Sequence, residues 1–451
     1  MKLKYYLTFA AIAATFLLTQ SSGISEERVS NERSGSSSRN GQRTPSPSDI
    51  LIVQLQDGAD QQRFDEELKA IHGTVLGTIP AGPDLSFLIV QTEPGQADAV
   101  QKKLSQSKDV ESVERNRACS PQTSPPARMK RHKKRHKHFG VAPPPNQLGG
   151  IPNDPYLPDQ WPISAMHYTE ARDSGLSYQT PITVYYVDSG ANVIPGEVNT
   201  SAIQFDFSNP VKPTGAEESV HDANYHGTAT TTLICTTDNA LGYTGIANME
   251  GNYCYLFMCR ANQDGFEFGN YVGIIAALGF ITNTKGLPPG PICLGYNDTA
   301  PDTFNSDPLI QNLALRLRKK GFVLVLPAGN DGQVDPSPEK HIRRVASIDP
   351  DGQLSSFSNY GPFPAVAPGG NIEVYTVEGG IQEGWIANGT SMAAPAWCAA
   401  IADVMRVLPP AHRNAVIADQ IVLETATTTS QNYKLPNLQA ALQKAAIYRS
   451  K

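Results

Sequence analysis

The sequence predicts an α/β protein: a doubly wound, mostly parallel sheet flanked by helices, preceded by a smaller domain. From residue 151 onwards, short runs of continuous apolar residues alternate with helical patterns. Such runs are typical of strands buried on both faces of a parallel sheet. Before that, residues 48–118 carry four strand-like runs and two helical ones in the order βαββαβ, which is a ferredoxin-like arrangement.

The composition supports more than one folded piece. With 451 residues the chain is about three times a typical domain of roughly 150 residues. Charged residues are 18% of the chain, and 35 prolines and 37 glycines indicate many turns, which excludes a coiled coil. The net charge of −6 gives no reason to expect a nucleic-acid partner. Residues 1–139 hold 20 basic and 15 acidic side chains, whereas residues 140–451 hold 17 and 28, so two differently charged parts are joined.

The first 23 residues have the pattern of a secretory signal peptide. Lys2 and Lys4 precede a mostly apolar stretch from Leu7 to Leu18, and small polar residues follow. That stretch is shorter than the roughly 20 residues of a membrane-spanning helix. We therefore expect a secreted, extracellular protein with no stable membrane anchor. Residues 24–47 are rich in Ser, Arg, Gly and Pro and predict a disordered spacer.

Residues 48–118 form the predicted small domain. Its strands fall at 50–56, 74–79, 86–91 and 110–115, and apolar residues at helical spacing mark the two helices between them. Residues 119–150 then form a Pro-rich linker with seven Lys or Arg side chains between positions 128 and 137. The basic run could be a nucleic-acid or nuclear patch, a solvated spacer or an exposed cleavage region. The signal peptide disfavours the nuclear interpretation, and residues 128–131 have the R-x-K-R form of a processing site, so we expect a cut within 119–150.

The second domain, 151–451, has predicted strands at 182–188, 253–258, 291–296, 322–327 and 343–348. Helices are predicted around 270–282 and 308–320, and a long one follows Ser391. In parallel sheets of this kind, chemistry collects at the carboxyl ends of the strands. Asp188 is at such an end, in Asp-Ser-Gly. Alone it would most often be a turn former.

Two further segments carry candidate catalytic residues. His226 begins His-Gly-Thr, and Ser391 lies in the run GTSMAAP, where small residues lead into an Ala-rich helix. Alone, the histidine would more often be structural or exposed, and the serine an N-cap. The place of Ser391 within the seven-residue motif GTSMAAP makes the N-cap interpretation improbable.

Taken in this order, the Asp, His and Ser segments resemble the subtilisin-type serine proteases, the subtilases. The resemblance extends from about Asn153 to the C-terminus and includes FSNYGPFPAVAPGG at 357–370. Residues 50–118 also resemble the inhibitory I9-type propeptide of that family. The resemblance implies a subtilisin-like fold and a secreted serine endopeptidase of the S8 type, made as a self-inhibited zymogen.

The resemblance also assigns roles to residues. Ser391 would be the nucleophile, His226 the general base and Asp188 the group that orients the imidazole, while Asn330 would donate to the oxyanion. The substrate cleft would be walled by the PICLGY strand on one side and the segment from Pro327 on the other; its substrate-binding residues are Leu294, Gly295, Ala328 and Gly329. This sequence has Cys293 where the family usually has Ser in Ser-x-Gly, which changes the expected polarity of that wall. Asp331 could bias the pocket toward basic side chains.

No cofactor is expected for the chemistry. Many subtilases bind structural calcium, which the resemblance leaves open here, and no metal ligands are assigned. The expected partners are protein or peptide substrates and the chain's own propeptide as an intramolecular inhibitor, and we expect a monomer. Two alternatives stay open: a processing protease specific for basic sites, and a catalytically inactive subtilase-like binding protein. The presence of all four catalytic positions disfavours the second alternative.

Six cysteines occur, at 119, 235, 254, 259, 293 and 398. Cys254 and Cys259 lie on one predicted strand about 16 Å apart, too far for a disulfide between them. Cys398 is expected to be a small buried side chain of the helix that follows Ser391.

Overall fold

The structure is a computed structural model that describes residues 47–121 and, with gaps, 154–448. The gaps are 155–156, 175, 177–180, 193–202, 208–213, 218–221, 223–224, 237–242, 249–253, 262–268, 299–302 and 379–380. The expected signal peptide (1–23), nearly all of the spacer (24–47) and the basic run of the linker lie outside the described residues. Among the described residues, no helix is both long and apolar enough to cross a membrane.

The described residues divide into two compact units, and the first contains the chain up to Arg117 together with Asn283–Gly286. Its elements are β1 (Ile50–Leu55), α1 (Gln61–Ala70), β2 (Thr74–Gly82), β3 (Leu85–Gln91), α2 (Ala97–Leu104) and β4 (Val110–Arg115). The four strands form an antiparallel sheet in the order β2-β3-β1-β4. Phe64 and Leu68 of α1 pack with Val100 and Leu104 of α2 against this sheet, because helical spacing places them on one face of each helix.

The second unit comprises Ala118–Thr282 and Leu287–Lys451. Its first half contains β5 (Ala118–Pro121), α3 (Trp161–Ala165), α4 (Tyr168–Asp173), β6 (Ile182–Asp188), β7 (Ile203–Asp206), β8 (Thr214–Glu217), α5 (His226–Cys235), β9 (Cys254–Arg260), β10 (Gly269–Asn270) and α6 (Tyr271–Asn283). Its second half contains β11 (Pro291–Leu294), β12 (Tyr296–Asp298), α7 (Thr303–Ser306), α8 (Pro308–Lys319), β13 (Val323–Pro327), β14 (Ile342–Ile348), β15 (Val366–Pro368), β16 (Ile372–Glu378), β17 (Ile381–Ala387), α9 (Thr390–Val407), α10 (Ala415–Thr425), β18 (Thr427–Thr428), β19 (Lys434–Leu435) and α11 (Leu438–Ile447).

Eight of these strands form one large sheet in the order β15-β14-β13-β11-β6-β9-β7-β8. All neighbouring pairs are parallel except β7 with β8. This confirms the predicted α/β class. Strand β6 lies inside the sheet, with β11, β13, β14 and β15 in order on one side and β9, β7 and β8 on the other. The carboxyl ends of β6 and β11 therefore flank the switch point where such sheets bind ligands.

Side chains alternate across the large sheet and fill two cores. On one face, Val184 and Tyr186 of β6 belong to a core formed with α9, α10 and α11. On the other face, the Tyr185 ring meets Phe257 at 5.0 Å and Phe322 at 5.4 Å. Because both faces are covered, β6 is buried at all seven positions, which explains its continuous apolar sequence.

Helix α9, which carries Ser391, is fixed to its neighbours by a buried polar group. The Trp397 indole donates to Asp419 Oδ1 of α10 at 2.9 Å, and Arg343 of β14 donates to both oxygens of the same carboxylate at 3.1 and 2.9 Å. The bidentate geometry satisfies the buried charges on both sides. The helix is therefore held at one orientation against the sheet.

Short strands β10, β5 and β12 form a separate antiparallel sheet in that order. The sequence interpretation placed residues from 119 onwards in a linker, but Cys119 to Pro121 continue β5. Strands of two to four residues lack a periodic pattern of their own, because their pairing is decided by distant segments. The β16–β17 hairpin was also not predicted.

Candidate active site

Asp188 and His226 meet at the carboxyl end of β6. Asp188 is the last residue of β6 and His226 the first of α5, and both side chains are almost completely buried. His226 Nδ1 lies 2.7 Å from Asp188 Oδ1. The same oxygen accepts from the Ser189 backbone N–H at 2.7 Å, and Oδ2 accepts from the Thr230 hydroxyl at 3.1 Å. These donors hold the carboxylate in one orientation.

This contact fixes the tautomer of His226. An ionised carboxylate can only accept, so Nδ1 carries the hydrogen and Nε2 presents its lone pair. Nε2 is buried and has no hydrogen-bond partner among the described residues. Burial lowers the pKa of His226, but the charge and hydrogen bond of Asp188, with a further contribution from Asp222, raise it more, so the net pKa lies above its ordinary value. The imidazole is thus arranged to accept a proton at Nε2.

Two glycines permit the close approaches around this pair. A Cβ on Gly227 would lie 2.0 Å from the carbonyl oxygen of Gly190, in the loop after β6. A Cβ on Gly295 would lie 2.0 Å from Asp188 Oδ2. Both contacts are with rigid or essential groups, so any larger residue would displace the Asp188–His226 pair.

Asn330 lies on the neighbouring side of the site, after β13. Its Oδ1 accepts from both the backbone N–H and the hydroxyl of Thr390, each at 2.9 Å. The Thr390 hydroxyl in turn accepts from the Gly329 N–H at 3.1 Å. Because Oδ1 is occupied by donors, Nδ2 must be the amide's free donor. Nδ2 is buried without a partner among the described residues, as expected of a group that waits for an anion.

Ser391 follows Thr390 directly and is 1% exposed, at the second position of α9. The first turn of a helix favours negative charge, since its N–H groups have no partner within the helix. Ala229 near the start of α5 and Met392 near the start of α9 belong to one buried apolar cluster, so these two helix starts lie in one region. The sequence-predicted residues thus form two contacting groups, Asp188 with His226 and Asn330 with the Thr390–Ser391 segment.

Strand β5 lies between β10 and β12 in the same unit. Cys119 pairs with Gly269 of β10 and with Asp298 of β12, and Pro121 pairs with Tyr296. Along β5 the chain therefore runs toward Gly295, the position at which a Cβ would lie 2.0 Å from Asp188 Oδ2. An extended segment held on both edges by antiparallel pairing has the geometry of a peptide bound by strand addition.

The four predicted substrate-binding residues differ in how close they lie to β5 and to Thr390. Leu294 ends β11 inside the large sheet, and the Gly295 N–H donates to Val187 at 2.9 Å, so neither contributes to the pairing with β5. The pairing residues on that side are Tyr296 to Asp298, immediately further along the chain. On the other side, Gly329 adjoins Thr390 as described, and the Ala328 N–H is bound to Val345 at 3.0 Å.

The expectation that Cys293 alters the polarity of the cleft wall is wrong. Cys293 is 1% exposed and faces the core beneath the sheet, where its thiol is hydrogen bonded to that of Cys398. Burial raises its pKa, so the thiol stays protonated. Cys398 is fully buried, as predicted, and Cys259 is a free thiol.

Asp331, the residue considered for basic specificity, is exposed and bound to Asn359. Its backbone N–H donates to Asn359 Oδ1 at 3.0 Å, and its carboxylate accepts from Asn359 Nδ2 at 3.3 Å. A pocket of about 460 Å³ lies beside the next residue, Gly332. Its other lining residues are Leu354, Ser355, Ser356, Ser358, Tyr360, Gln431 and Tyr433, so hydroxyl groups rather than carboxylates line it.

Three residues near the site were not singled out from the sequence. Thr390 orients Asn330, and its place beside Ser391 was the available signal. Tyr296 lies with its ring centroid 6.5 Å from that of His226. Asp222 is a buried carboxylate four residues before His226, and nothing in the local sequence distinguishes it from a surface aspartate. Among the described residues, no group of three or more His, Cys, Asp or Glu side chains is arranged to hold a metal ion.

Comparison with known proteins identifies the family of this chain. Residues 150–441 match the model of the subtilase family, Peptidase_S8, and the chain belongs to that family. It is a serine-type endopeptidase by class. It is similar to the thermostable alkaline protease of Halalkalibacterium halodurans, with 29% identity over 59% of this chain and 68% of that protein. It is also similar to the thermophilic serine proteinase of Bacillus sp. strain AK1, with 26% identity over 84% of this chain and 82% of that protein.

The fold is shared with solved subtilisin-like structures. Fervidolysin from Fervidobacterium pennivorans, described as a keratinolytic enzyme related to subtilisin, superposes with a TM-score of 0.61. The sequences are 17% identical, and the match covers 90% of this chain and 62% of that one. At this identity the likeness establishes the fold alone.

Proposed function

We propose that this chain is the precursor of a secreted endopeptidase in which Asp188, His226 and Ser391 form the catalytic triad and Asn330 donates to the oxyanion. The observation that carries the proposal is the 2.7 Å contact between His226 Nδ1 and Asp188 Oδ1, which leaves Nε2 as a buried acceptor. A neutral serine hydroxyl is a weak nucleophile unless such a base is at hand.

The reaction follows from these roles. Ser391 Oγ attacks the carbonyl carbon of the scissile peptide bond while His226 Nε2 takes the hydroxyl proton. Asp188 stabilises the resulting imidazolium, and Asn330 Nδ2 with the N–H groups at the start of α9 stabilises the negative oxygen. The imidazolium gives its proton to the leaving amine. Water then attacks the acyl carbon while His226 takes its proton, and the proton returns to Ser391 Oγ as the acid product leaves.

We further propose that the chain's own N-terminal part, residues 48–118, is an inhibitory propeptide and that β5 occupies the position of a substrate. The pairing of β5 with β10 and β12 supports this, as does its direction toward Gly295 and Asp188. The first cut would then fall after β5, since β5 runs along β12 toward the residue that adjoins the Asp188 carboxylate. The basic run at 128–137 would serve as a second site.

Expression of the full chain and of Ser391→Ala tests the catalytic part of the proposal. The unaltered chain should release its N-terminal part and digest an unfolded protein substrate such as casein, whereas Ser391→Ala should stay intact and inactive. Ser430→Ala, a serine change at an exposed position, is the matched control and should behave like the unaltered chain. Equal processing and digestion by all three proteins would refute the triad.

Sequencing the new N-terminus of the processed protein tests the role of β5. A first cut just after Pro121 is expected, and it should persist when the basic residues between 128 and 137 are replaced by serine. A first cut confined to the basic run would show that β5 does not present the initial substrate.

A further inference from the structure

Asp222 is a second buried carboxylate beside the candidate catalytic histidine. It is fully buried, and its oxygens accept hydrogen bonds from residues on both sides of His226. Oδ1 accepts from the Tyr225 backbone N–H at 2.9 Å, while Oδ2 accepts from the Thr228 backbone N–H at 2.8 Å and from the Thr228 hydroxyl at 2.6 Å. The Asp222 side chain therefore binds the chain on both sides of His226, at the start of α5. These three contacts are called the Asp222 clamp.

The clamp stabilises an unusual backbone. Tyr225 precedes the helix in the left-handed region, with φ 63°, a conformation that few non-glycine residues adopt. Its N–H would otherwise be an unpaired donor at the helix start, where no intrahelical partner exists. Binding by Asp222 satisfies that donor and fixes the turn from which the His226 side chain projects.

Asp222 is also tied to the segment that follows Asp188. Asn192 Oδ1 accepts from the Asp222 backbone N–H at 3.0 Å, and Asn192 Nδ2 donates to the Asp222 carbonyl at 3.1 Å. The Asn192 N–H donates to the Thr228 hydroxyl at 2.9 Å, and the Ser189 hydroxyl is hydrogen bonded to the Asp222 carboxylate. The loop after β6 and the start of α5 thus share one polar network, which fixes Asp188 and His226 relative to each other.

The charge of Asp222 adds to this positioning. Among the described residues, the carboxylates of Asp188 at the end of β6 and of Asp222 before α5 act on the charge of His226, and the Tyr296 ring on β12 lies beside the imidazole. Burial and the charge of Asp188 and Asp222 keep the Tyr296 phenol neutral by raising its pKa. The two carboxylates are therefore the charges that favour a positive imidazole.

We propose that Asp222 is a positioning residue for His226, which fixes the first turn of α5 and adds a second negative charge that stabilises the imidazolium formed during peptide-bond cleavage. The proposal rests on the proposed role of His226 as general base. It adds a residue that acts through the histidine and does not contact the substrate.

The main test is Asp222→Asn, which keeps the size of the side chain but removes its charge. It also replaces one carboxylate oxygen by an NH2 group, which would face the backbone N–H of Tyr225 or of Thr228. The expected result is a fall in kcat of about 10- to 100-fold with KM changed little. Removing a negative charge lowers the pKa of His226, so the acid limb of kcat/KM should move to lower pH. The matched control is Asp307→Asn, because Asp307 is another buried carboxylate that caps a helix, accepting from Leu309 and Ile310 at 2.9 and 3.0 Å.

A structural role alone would give a different pattern. Asp307→Asn should lower the melting temperature but leave the pH profile in place. An Asp222→Asn protein that loses stability to a similar degree while its acid limb stays unmoved would overturn the proposal. The unaltered chain and Ser391→Ala are compared in the same assay. If hydrolysis depends on Ser391, an unmoved acid limb overturns the role of Asp222 alone. If hydrolysis does not depend on Ser391, the proposed function itself fails.

Two further measurements keep the test decisive if Asp222→Asn folds poorly or stays unprocessed. Thr228→Val removes one donor to Asp222 without a change of charge, and Thr231→Val is its control, because the Thr231 hydroxyl donates only to the Thr228 carbonyl among the described contacts. Thr228→Val should lower kcat several-fold relative to Thr231→Val, and equal rates would refute the clamp. In the Ser391→Ala chain, NMR titration of the His226 ring with and without Asp222→Asn reads the imidazole pKa directly, and identical titrations would refute the charge effect.

Discussion

The two sides of the proposed active site, named by their proposed roles as the acid–base side and the oxyanion side, are built on the same plan but with different charges. On the acid–base side, Asp188 holds Nδ1 of His226 and leaves Nε2 unoccupied. On the oxyanion side, Thr390 holds Oδ1 of Asn330 and leaves Nδ2 unoccupied. In each case one polar atom of the side chain is held by hydrogen bonds, which fixes the orientation of the whole group. The other polar atom, Nε2 of His226 or Nδ2 of Asn330, would therefore face the substrate in one orientation.

The difference between the sides lies in ionisation. The acid–base side contains an imidazole and two buried carboxylates, which are ionisable groups. The oxyanion side consists of an amide, a hydroxyl and backbone N–H groups, none of which titrates in the usual range. Changes on the first side should therefore alter both the rate and its pH dependence, whereas changes on the second should alter the rate alone.

Of the variants that test this comparison, Asp188→Asn is expected to have the largest effect on kcat. An amide at this position can donate to Nδ1 and so favours the tautomer with its hydrogen on Nε2, which cannot accept the Ser391 proton. We expect kcat to fall by about 10⁴-fold with the fold retained. The measurement is steady-state hydrolysis of a peptide substrate, with circular dichroism as the check on folding. A fall of less than about tenfold would mean that Asp188 does not set the tautomer.

Asn330→Ala should have the next largest effect. It removes the free Nδ2 donor and should lower kcat by about 10²- to 10³-fold, a magnitude known from subtilisin, a member of this family. Because no ionisable group changes, the pH profile of kcat/KM should keep its shape and position. A shifted acid limb in this variant would contradict the separation of the two sides.

The fold was predictable from sequence where burial imposes a local pattern. Strand β6 reads as ITVYYVD because both faces of the sheet are covered, and α9 was anticipated from the Ala-rich run after Ser391. The short strands β5, β10 and β12 were not predictable, because each pairs with a strand more than a hundred residues away along the chain. The residues that pair with β5 are Tyr296 to Asp298, immediately after the predicted substrate-binding residues Leu294 and Gly295.

The site was predictable only in part, and for a related reason. Asp188, His226, Asn330 and Ser391 stand out because each occupies a motif at the end of a strand or the start of a helix. Asp222 does not, since its importance comes from the folding of its carboxylate into the interior beside Tyr225 and Thr228. A supporting residue of this kind becomes visible only when the backbone donors that surround it are known.

The smallest effect concerns Thr390, whose hydroxyl is one of two donors that hold Asn330. Thr390→Val removes this donor but leaves the backbone N–H at 2.9 Å, so the amide should lose only part of its orientation. A neutral hydrogen bond of this kind contributes about 0.5–1.5 kcal/mol, which corresponds to a fall in kcat of up to about tenfold. Thr390→Ser keeps the hydroxyl and should retain nearly full activity.

The double variant decides how Thr390 acts. If the hydroxyl works only by orienting Asn330, then adding Thr390→Val to Asn330→Ala should cost almost nothing further, because the amide it orients is already absent. If the two losses multiply, the hydroxyl itself contacts the oxyanion and the oxyanion side has a second side-chain donor. The parallel between the two sides would then fail at this point, since Thr390 would be a direct participant whereas Asp188 acts through His226.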